Sequence, residues 1–316
     1  IHRLDEPTPG GRKFAMNEAL QDDFALNQPL SAFASEAVAT LDPDSPSHAL
    51  DVVSVIEATL DNPMTILIAQ QHAARGEAIA RMKEEGYDYE DRMAAVEEIE
   101  WPRPLEDILD ALFEIFAPSH PWIPADALQP KSVVRDMYER AMTFGEFCAH
   151  YKVQRSEGLV LRYLTDAYRA LRQTVPETER TDELSDVISW LGEVVRSIDS
   201  SLIDEWEELT HPVDEGPEEV RPVRTFTANQ RAFTVMVRNA MFRKVILAAD
   251  DDFKALGAAE PEGSAMTTAA WEDTLGDYWD EHDEINDGPD ARTSGLFMIE
   301  QESGRHDSRI WLVRQI

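Results

Sequence analysis

The sequence lacks the residues and motifs on which several classes of enzyme depend. Cys148 is the only cysteine among the 316 residues, so an intrachain disulfide and a cluster of thiolate metal ligands are both excluded. The sequence also contains no G-x-x-x-x-G-K-[ST] phosphate loop, no G-x-G-x-x-G, no H-E-x-x-H and no G-x-S-x-G. We therefore expect no self-sufficient catalytic site, no metal and no cofactor in this segment.

Long apolar runs are missing as well. No stretch has the length of unbroken apolar sequence that a membrane span needs, and the N-terminus has no secretory apolar region. We therefore expect a cytoplasmic chain with no membrane partner. Cys148 lies in the apolar run 144–149, which indicates a buried structural thiol and not a nucleophile.

The charge of the chain is strongly negative but uneven. The formal net charge is −33, which disfavours binding to nucleic acid by the surface as a whole. Residues 250–290 contain fourteen acidic residues and one basic residue, Lys254. Residues 131–172 contain eight basic and five acidic residues. The overall acidity therefore conceals one locally positive segment.

The apolar periodicity predicts a mainly α protein: a helical bundle followed by a small α+β module. Helical spacing runs through residues 29–210, after an entry segment at 1–28. Residues 211–224 are rich in proline and acid, which is typical of a linker. The module at 225–316 combines two helices with an antiparallel hairpin formed by 295–302 and 309–316. Because the chain starts at Ile1 and stops within a strand-like run, we expect it to be a truncated piece of a longer protein.

Within the bundle, the pattern predicts one continuous helix over residues 131–151. A second helix spans 156–173 with Ser156 as its N-cap, and a third begins after Thr181 and continues to residue 209. The aromatic and proline-rich loop 118–124 is expected to pack Trp122 against a neighbouring helix.

Basic residues form a candidate strand-binding surface on the positive segment. Arg155, Arg162 and Arg169 are spaced by seven residues and stay within roughly 40° of one another on a helix. A ridge of this kind can follow a phosphate backbone. The full candidate set for nucleic-acid binding is Arg155, Arg162, Arg169, Arg172, Lys131, Arg135 and Lys152.

Two points about this surface stay open in the sequence. Asp166 lies four residues after Arg162, so an ordinary ion pair along the helix also explains the pattern. Tyr163 and Tyr168 fit either core packing or base stacking.

The acidic run 280–284 is interpreted as a solvated helix end, because five consecutive residues point around a helix and cannot converge on one metal ion.

Five segments together resemble a known family. They are FALNQPLS at 24–31, ALDVVSVIEATL at 49–60, PKSVVRDMYERAM at 130–142, SEGLVLRYLTDAYRALRQ at 156–173 and DSSLIDEW at 199–206. As a set they resemble the C-terminal region, a domain of unknown function, of actinobacterial superfamily-2 DExH-box RNA helicases related to the Ski/Mtr/HelY type.

The resemblance implies a division of labour in a longer enzyme. In such helicases two RecA-like domains bind ATP and Mg²⁺ and hydrolyse the nucleotide, while a helical bundle contacts the moving single strand. This segment is then an accessory region that contacts single-stranded RNA or DNA and its own RecA-like domains. The competing hypothesis is an acidic protein-interaction scaffold that binds no nucleic acid. In that case 225–316, whose element order resembles an NTF2-like fold, docks a protein partner or a second copy.

Overall fold

A computed structural model describes residues 2–3, 14–15, 30–176, 180–199, 230–303 and 309–316. The chain divides into two compact units, which we describe separately. Unit 1 comprises residues 1–43, 48–135 and 148–220, and unit 2 comprises residues 44–47, 136–147 and 221–316. The linker predicted at 211–224 and most of the entry segment lie outside the described residues.

Helices dominate the described residues, which confirms the mainly α class. The helices are α1 Ser31–Val38, α2 His48–Thr59, α3 Met64–Glu84, α4 Tyr89–Glu97, α5 Glu106–Phe116, α6 Val134–Glu139, α7 Phe144–His150, α8 Glu157–Thr174, α9 Asp182–Ile198, α10 Gln230–Ala249, α11 Phe253–Ala258 and α12 Thr268–Trp279. The strands are β1 His2–Arg3, β2 Phe14–Ala15, β3 Phe297–Ser303 and β4 Arg309–Gln315, paired antiparallel as β1–β2 and β3–β4.

Helix α2 is the centre of unit 1. It packs against α1, α8 and α9, and its residues from His48 to Leu50 and from Val52 to Ala58 are buried. The sequence ALDVVSVIEATL is apolar almost all round, and a helix of that composition is stable only inside a core. Helix α1 adds Phe33, whose ring lies edge-on to Phe113 and to Phe116 of α5, each with centroids 5.4 Å apart.

Helices α8 and α9 pack closely because α9 has a glycine at their contact. A Cβ atom built on Gly192 would lie 2.7 Å from Cε2 of the Tyr168 ring. Tyr168 is buried, so its ring has little freedom to move away. Thr181 caps α9 as predicted, with its hydroxyl accepting a hydrogen bond from the amide of Leu184 at 3.2 Å.

The continuous helix predicted over 131–151 is wrong. Helix α6 ends at Glu139, Ala141 adopts a left-handed φ of 49°, and the amide of Met142 donates to the carbonyl of Met137. Helix α7 then starts with a reciprocal capping box: the amide of Thr143 donates to the Glu146 carboxylate at 2.8 Å, and the amide of Glu146 donates to the Thr143 hydroxyl at 3.3 Å. The T-x-x-E motif was therefore a helix start inside an apparently continuous pattern.

Two other local predictions are confirmed only in part. Ser156 occupies the N-cap position of α8 as predicted, but its side chain makes no capping hydrogen bond. The third helix ends at Ile198, where the prediction continued it to residue 209; residues 200–209 lie outside the described residues.

Unit 2 contains α10 to α12 and the predicted hairpin. Strands β3 and β4 pair in register from Phe297 opposite Gln315 to Ser303 opposite Arg309. The hairpin packs on α10, where the rings of Phe233 and Trp311 have centroids 4.8 Å apart. A separate cluster of buried apolar residues from α10, α11 and α12 forms around Leu256. The α+β character of this unit is confirmed, whereas its finer likeness to an NTF2 fold stays a prediction.

The contact at Gly192 gives a stability prediction. We expect Gly192→Ala to lower the free energy of unfolding by about 1–3 kcal/mol, because the added methyl overlaps the Tyr168 ring. The matched control is Gly158→Ala in α8, where an added Cβ meets no atom within 4 Å. We expect the control to leave stability unchanged or to raise it slightly, since alanine favours helix over glycine. Urea denaturation followed by circular dichroism measures both; equal effects of the two variants would contradict the close contact.

Candidate nucleic-acid interface

Two of the candidate cations lie in the turn before α8. Lys152 is exposed and adopts a left-handed φ of 57°, and the amide of Val153 after it donates to the carbonyl of Cys148 at 2.9 Å. Arg155 is also exposed and lies in a short 3-10 helix at Gln154–Ser156. Since Arg155 precedes the α-helix, the seven-residue spacing puts only Arg162 and Arg169 on one helical face.

Arg162 is the most accessible cation on α8. Its side chain is 78% exposed, and its Nε lies 3.8 Å from Oδ2 of Asp166. The ion pair that the sequence left open is therefore present, but it is long and solvated, so it contributes little stability. Partial burial raises the pKa of Asp166, while the charges of Arg162 and Arg169 oppose that shift. The Asp166 carboxylate thus weakens the positive field of both arginines.

The other arginines of α8 are less accessible. Arg169 and Arg172 are both partly buried. Arg180, which the sequence pattern did not single out, binds the end of the helix: its Nη2 donates to the carbonyls of Arg172 and Val175, both at 2.7 Å. A cation placed there compensates the unpaired carbonyls and the negative dipole end of α8.

The remaining candidates, Lys131, Arg135 and the two tyrosines, lie in the part of unit 1 that surrounds the buried carboxylate of Glu57. Glu57 of α2 is fully buried, and its Oε1 accepts hydrogen bonds from the amides of Val133 and Val134 at 2.8 and 2.9 Å. Its Oε2 accepts from the amide of Arg135 at 3.1 Å, and the Tyr163 hydroxyl donates to Oε1 at 3.0 Å. Burial raises the pKa of Glu57, although these hydrogen bonds oppose the shift. Tyr163 is therefore a core residue and not a stacking group, and buried Tyr168 is likewise part of the core.

Lys131 does not reach the surface of unit 1. It is completely buried, and its Nζ donates to the carbonyls of Leu60 and Gln129, each at 2.8 Å. Burial lowers the pKa of Lys131 to about 8, while the nearby charges of Glu57 and Asp61 oppose the shift. A phosphate group cannot reach this ammonium in the folded unit.

Arg135 is also engaged inside unit 1. Its Nη1 donates to Oδ1 of Asp51 at 2.9 Å and to the Ser54 hydroxyl at 3.0 Å. The side chains of the Arg135–Asp51 pair are 16% and 15% exposed. The structure therefore separates the predicted set into an exposed group and an internal one. Lys152, Arg155 and Arg162 are exposed, Arg169 and Arg172 are partly buried, and Lys131 and Arg135 make contacts inside unit 1.

Sequence reasoning missed two members of this region. Leu159 is exposed between Arg155 and Arg162, where an apolar side chain can contact a ribose or base. Glu57 was missed as well, although an acidic residue within the mostly apolar run 52–60 is a recognisable sign of a buried polar partner.

The described residues form no metal site: no group of three or more of their His, Cys, Asp or Glu side chains is arranged to hold a metal ion. Cys148 is buried, and burial raises the pKa of its thiol to about 11, which keeps it protonated and unreactive at neutral pH. Among the described helices, none combines the length and apolarity required to cross a bilayer.

Comparison with known proteins identifies the family. A family model described as Domain of unknown function (DUF3516) matches residues 1–316. The chain belongs to the DUF3516 family. No curated protein and no solved structure gives a significant match to this DUF3516 chain. The expected domain of unknown function is thereby confirmed, while the parent helicase stays a prediction.

The burial of Lys131 predicts a specific pH dependence of stability. Its pKa falls from the ordinary value of 10.5 to about 8 in the folded chain. Between these values the unfolded chain holds the proton and the folded chain does not, so raising the pH stabilises the fold. We expect wild type to gain up to about 1.4 kcal/mol per pH unit over this interval relative to Lys131→Met.

Urea denaturation of both proteins at several pH values between 7.5 and 10 measures this difference. Lys83→Met, at an exposed position of α3, is the control and should track wild type at every pH. A constant difference between wild type and Lys131→Met across the interval would show that Lys131 keeps its ordinary pKa.

Proposed function

We propose that this chain is the accessory, non-motor region of an ATP-dependent DExH-box RNA helicase and that it guides single-stranded RNA. The strand runs along an exposed basic edge, defined as Lys152, Arg155 and Arg162. ATP and Mg²⁺ belong to the RecA-like domains of the longer enzyme, and this region contributes no residue to nucleotide hydrolysis. The family resemblance of the five sequence segments supplies the parent enzyme in this proposal.

The observation that carries the proposal is the exposure of the basic edge. All three cations are exposed, and they occur within eleven residues at the start of α8. Leu159 lies three residues before Arg162 and is also exposed, so a nucleotide held by the arginines can rest its apolar face on the leucine. Surfaces that hold a strand without reading its sequence rely on cationic groups that follow the phosphate backbone.

The charge of the chain limits how tightly the strand is held. A net charge of −33 repels polyphosphate at long range, and Asp166 lies beside Arg162 at close range. Weak and strongly salt-dependent binding suits a guide, because a strand that is to be moved by a motor must also be released. Three phosphate contacts correspond to a slope of about −2 in a plot of log K against log salt concentration.

The first binding prediction concerns Arg162→Glu. We expect affinity for a labelled single-stranded RNA oligonucleotide to fall by roughly tenfold at low salt, and the salt slope to shrink by about 0.7, since one phosphate contact is lost. Fluorescence anisotropy over a range of salt concentrations measures both quantities. The control is Arg81→Glu on α3, whose side chain is 71% exposed and which carries the same charge reversal. Equal losses in the two variants would assign the effect to net charge and remove the basic edge from the proposal.

The second binding prediction has the opposite sign. We expect Asp166→Asn to raise RNA affinity by about threefold, because the change removes the carboxylate that lies between Arg162 and Arg169. Asp110→Asn on the exposed side of α5 makes the same change in net charge and is the matched control. A gain of similar size in both variants, or no gain in Asp166→Asn, would contradict a strand path along α8.

The second candidate function is an acidic protein-interaction scaffold without affinity for nucleic acid. It is favoured by the net charge of −33 and by apolar side chains that remain exposed on a strongly acidic helix of unit 1, α5. A measurement of RNA binding distinguishes the two functions. A scaffold alone retains no RNA at low or moderate salt, whatever residue stands at position 162.

A further inference from the structure

The exposed side of α5 combines apolar and acidic side chains in separate strips. Ile108 and Ile115 are 51% and 78% exposed. They are seven residues apart, so they lie within roughly 20° of each other on the helix surface. The adjoining strip carries Asp107, Asp110 and Glu114, all of them exposed.

The opposite side of α5 accounts for its position in unit 1. Leu109, Phe113 and Phe116 are buried, and the latter two rings pack around Phe33 of α1. That contact already satisfies the core-facing side of the helix. The two exposed isoleucines are therefore additional to what the fold needs, and leaving them in water forgoes hydrophobic stabilisation.

Trp122, in the loop that follows α5, is a further large apolar side chain exposed to solvent. It is 71% exposed, which contradicts the expectation that it packs against a neighbouring helix. The His120 ring stacks on Phe116 with centroids 3.8 Å apart, and Trp122 lies edge-on to His120 at 5.2 Å. The loop is thus attached to the helix through His120, while the indole faces solvent. A large exposed aromatic on a restrained loop is a common anchor of protein interfaces.

The charge around this strip is of one sign. Residues 104–130 contain five acidic residues, Glu106, Asp107, Asp110, Glu114 and Asp126, and no Lys or Arg. Among the ion pairs of the described residues, only Glu106 of these five takes part, with Arg103. The surface therefore repels polyphosphate and anionic lipid, and it attracts a cationic ligand that also has apolar side chains.

We propose that the surface formed by Ile108, Ile115, Trp122 and the acidic strip of α5, which we name the α5 surface, docks a basic amphipathic helix of a partner protein. The partner places its apolar side chains on the two isoleucines and the indole, and its lysines or arginines along Asp107, Asp110 and Glu114. In this kind of recognition, apolar side chains at helical spacing on the partner supply the contact area. The charged residues select the partner and fix the orientation of its helix. This site is independent of the basic edge on α8.

The probe is an 18-residue peptide of leucine and lysine with leucines at helical spacing, titrated against the intact chain by fluorescence anisotropy. A scrambled peptide of the same composition has the same charge but no apolar face. We expect the helical peptide to bind at least ~10-fold more tightly than the scrambled one, because only the helical peptide can bury the isoleucines and the indole.

Substitutions test where on the chain the helical peptide binds. We expect Ile115→Ser and Trp122→Ser each to weaken binding of the helical peptide by ~10-fold or more. Both positions are largely exposed, and unchanged thermal melts will verify that the fold is retained. Ile68→Ser, at another exposed isoleucine on α3, is the matched control and should change affinity less than ~2-fold. Arg162→Glu should also leave peptide affinity unchanged, which separates this site from RNA binding.

Three results would overturn the proposal. The first is equal binding of the helical and scrambled peptides, which would reduce the effect to charge attraction. The second is equal effects of Ile115→Ser and Ile68→Ser. The third is a dimer in sedimentation equilibrium that Ile115→Ser abolishes, which would make a second copy of the chain the occupant of the α5 surface.

Discussion

The hydrogen bonds to the Glu57 carboxylate join three parts of unit 1 that are distant in sequence. The carboxylate of α2 receives the amides of Val133, Val134 and Arg135 at the start of α6, and the Tyr163 hydroxyl of α8. A buried carboxylate without such donors would cost several kcal/mol, so the segments that supply them must stay in place. Because Tyr163 is held inward, Arg162, the residue before it, projects from the outer part of α8. The interior network therefore determines which side of α8 is available to a ligand.

Charged residues have different roles in the interior and on the surface of unit 1. Lys131 and Arg135 lie in the locally positive segment, yet one donates to carbonyls in the core and the other to Asp51 and Ser54. Both side chains are engaged in contacts inside unit 1, which leaves the basic edge to Lys152, Arg155 and Arg162. On α5 the acidic residues stay in water beside exposed isoleucines. Unit 1 thus presents two surfaces of opposite charge, to which we assign single-stranded RNA and a cationic helix in our two proposals.

Much of the fold could be predicted because it depends on local signals. The apolar periodicity predicted the helices at 156–173 and after Thr181, and two strand-like runs predicted the C-terminal hairpin. The prediction over 131–151 was wrong because apolar spacing continued through a break that Ala141 makes with a positive φ. The capping box at Thr143 and Glu146 was the local signal that marked the new helix. Trp122 was expected to pack against a neighbouring helix, and its exposure could not be read from the loop sequence.

The sequence by itself determined the mainly α class, the uneven charge, the family resemblance and the presence of arginines at seven-residue spacing. These properties depend on composition and on short-range periodicity, which a single chain displays directly. Only the tertiary structure decided which cations are accessible, because burial depends on contacts between residues far apart, such as Glu57 with Val134 or Lys131 with Leu60. The same holds for the α5 surface, whose isoleucines resemble core residues in the sequence and are exposed because Phe33 packs on the other side of the helix.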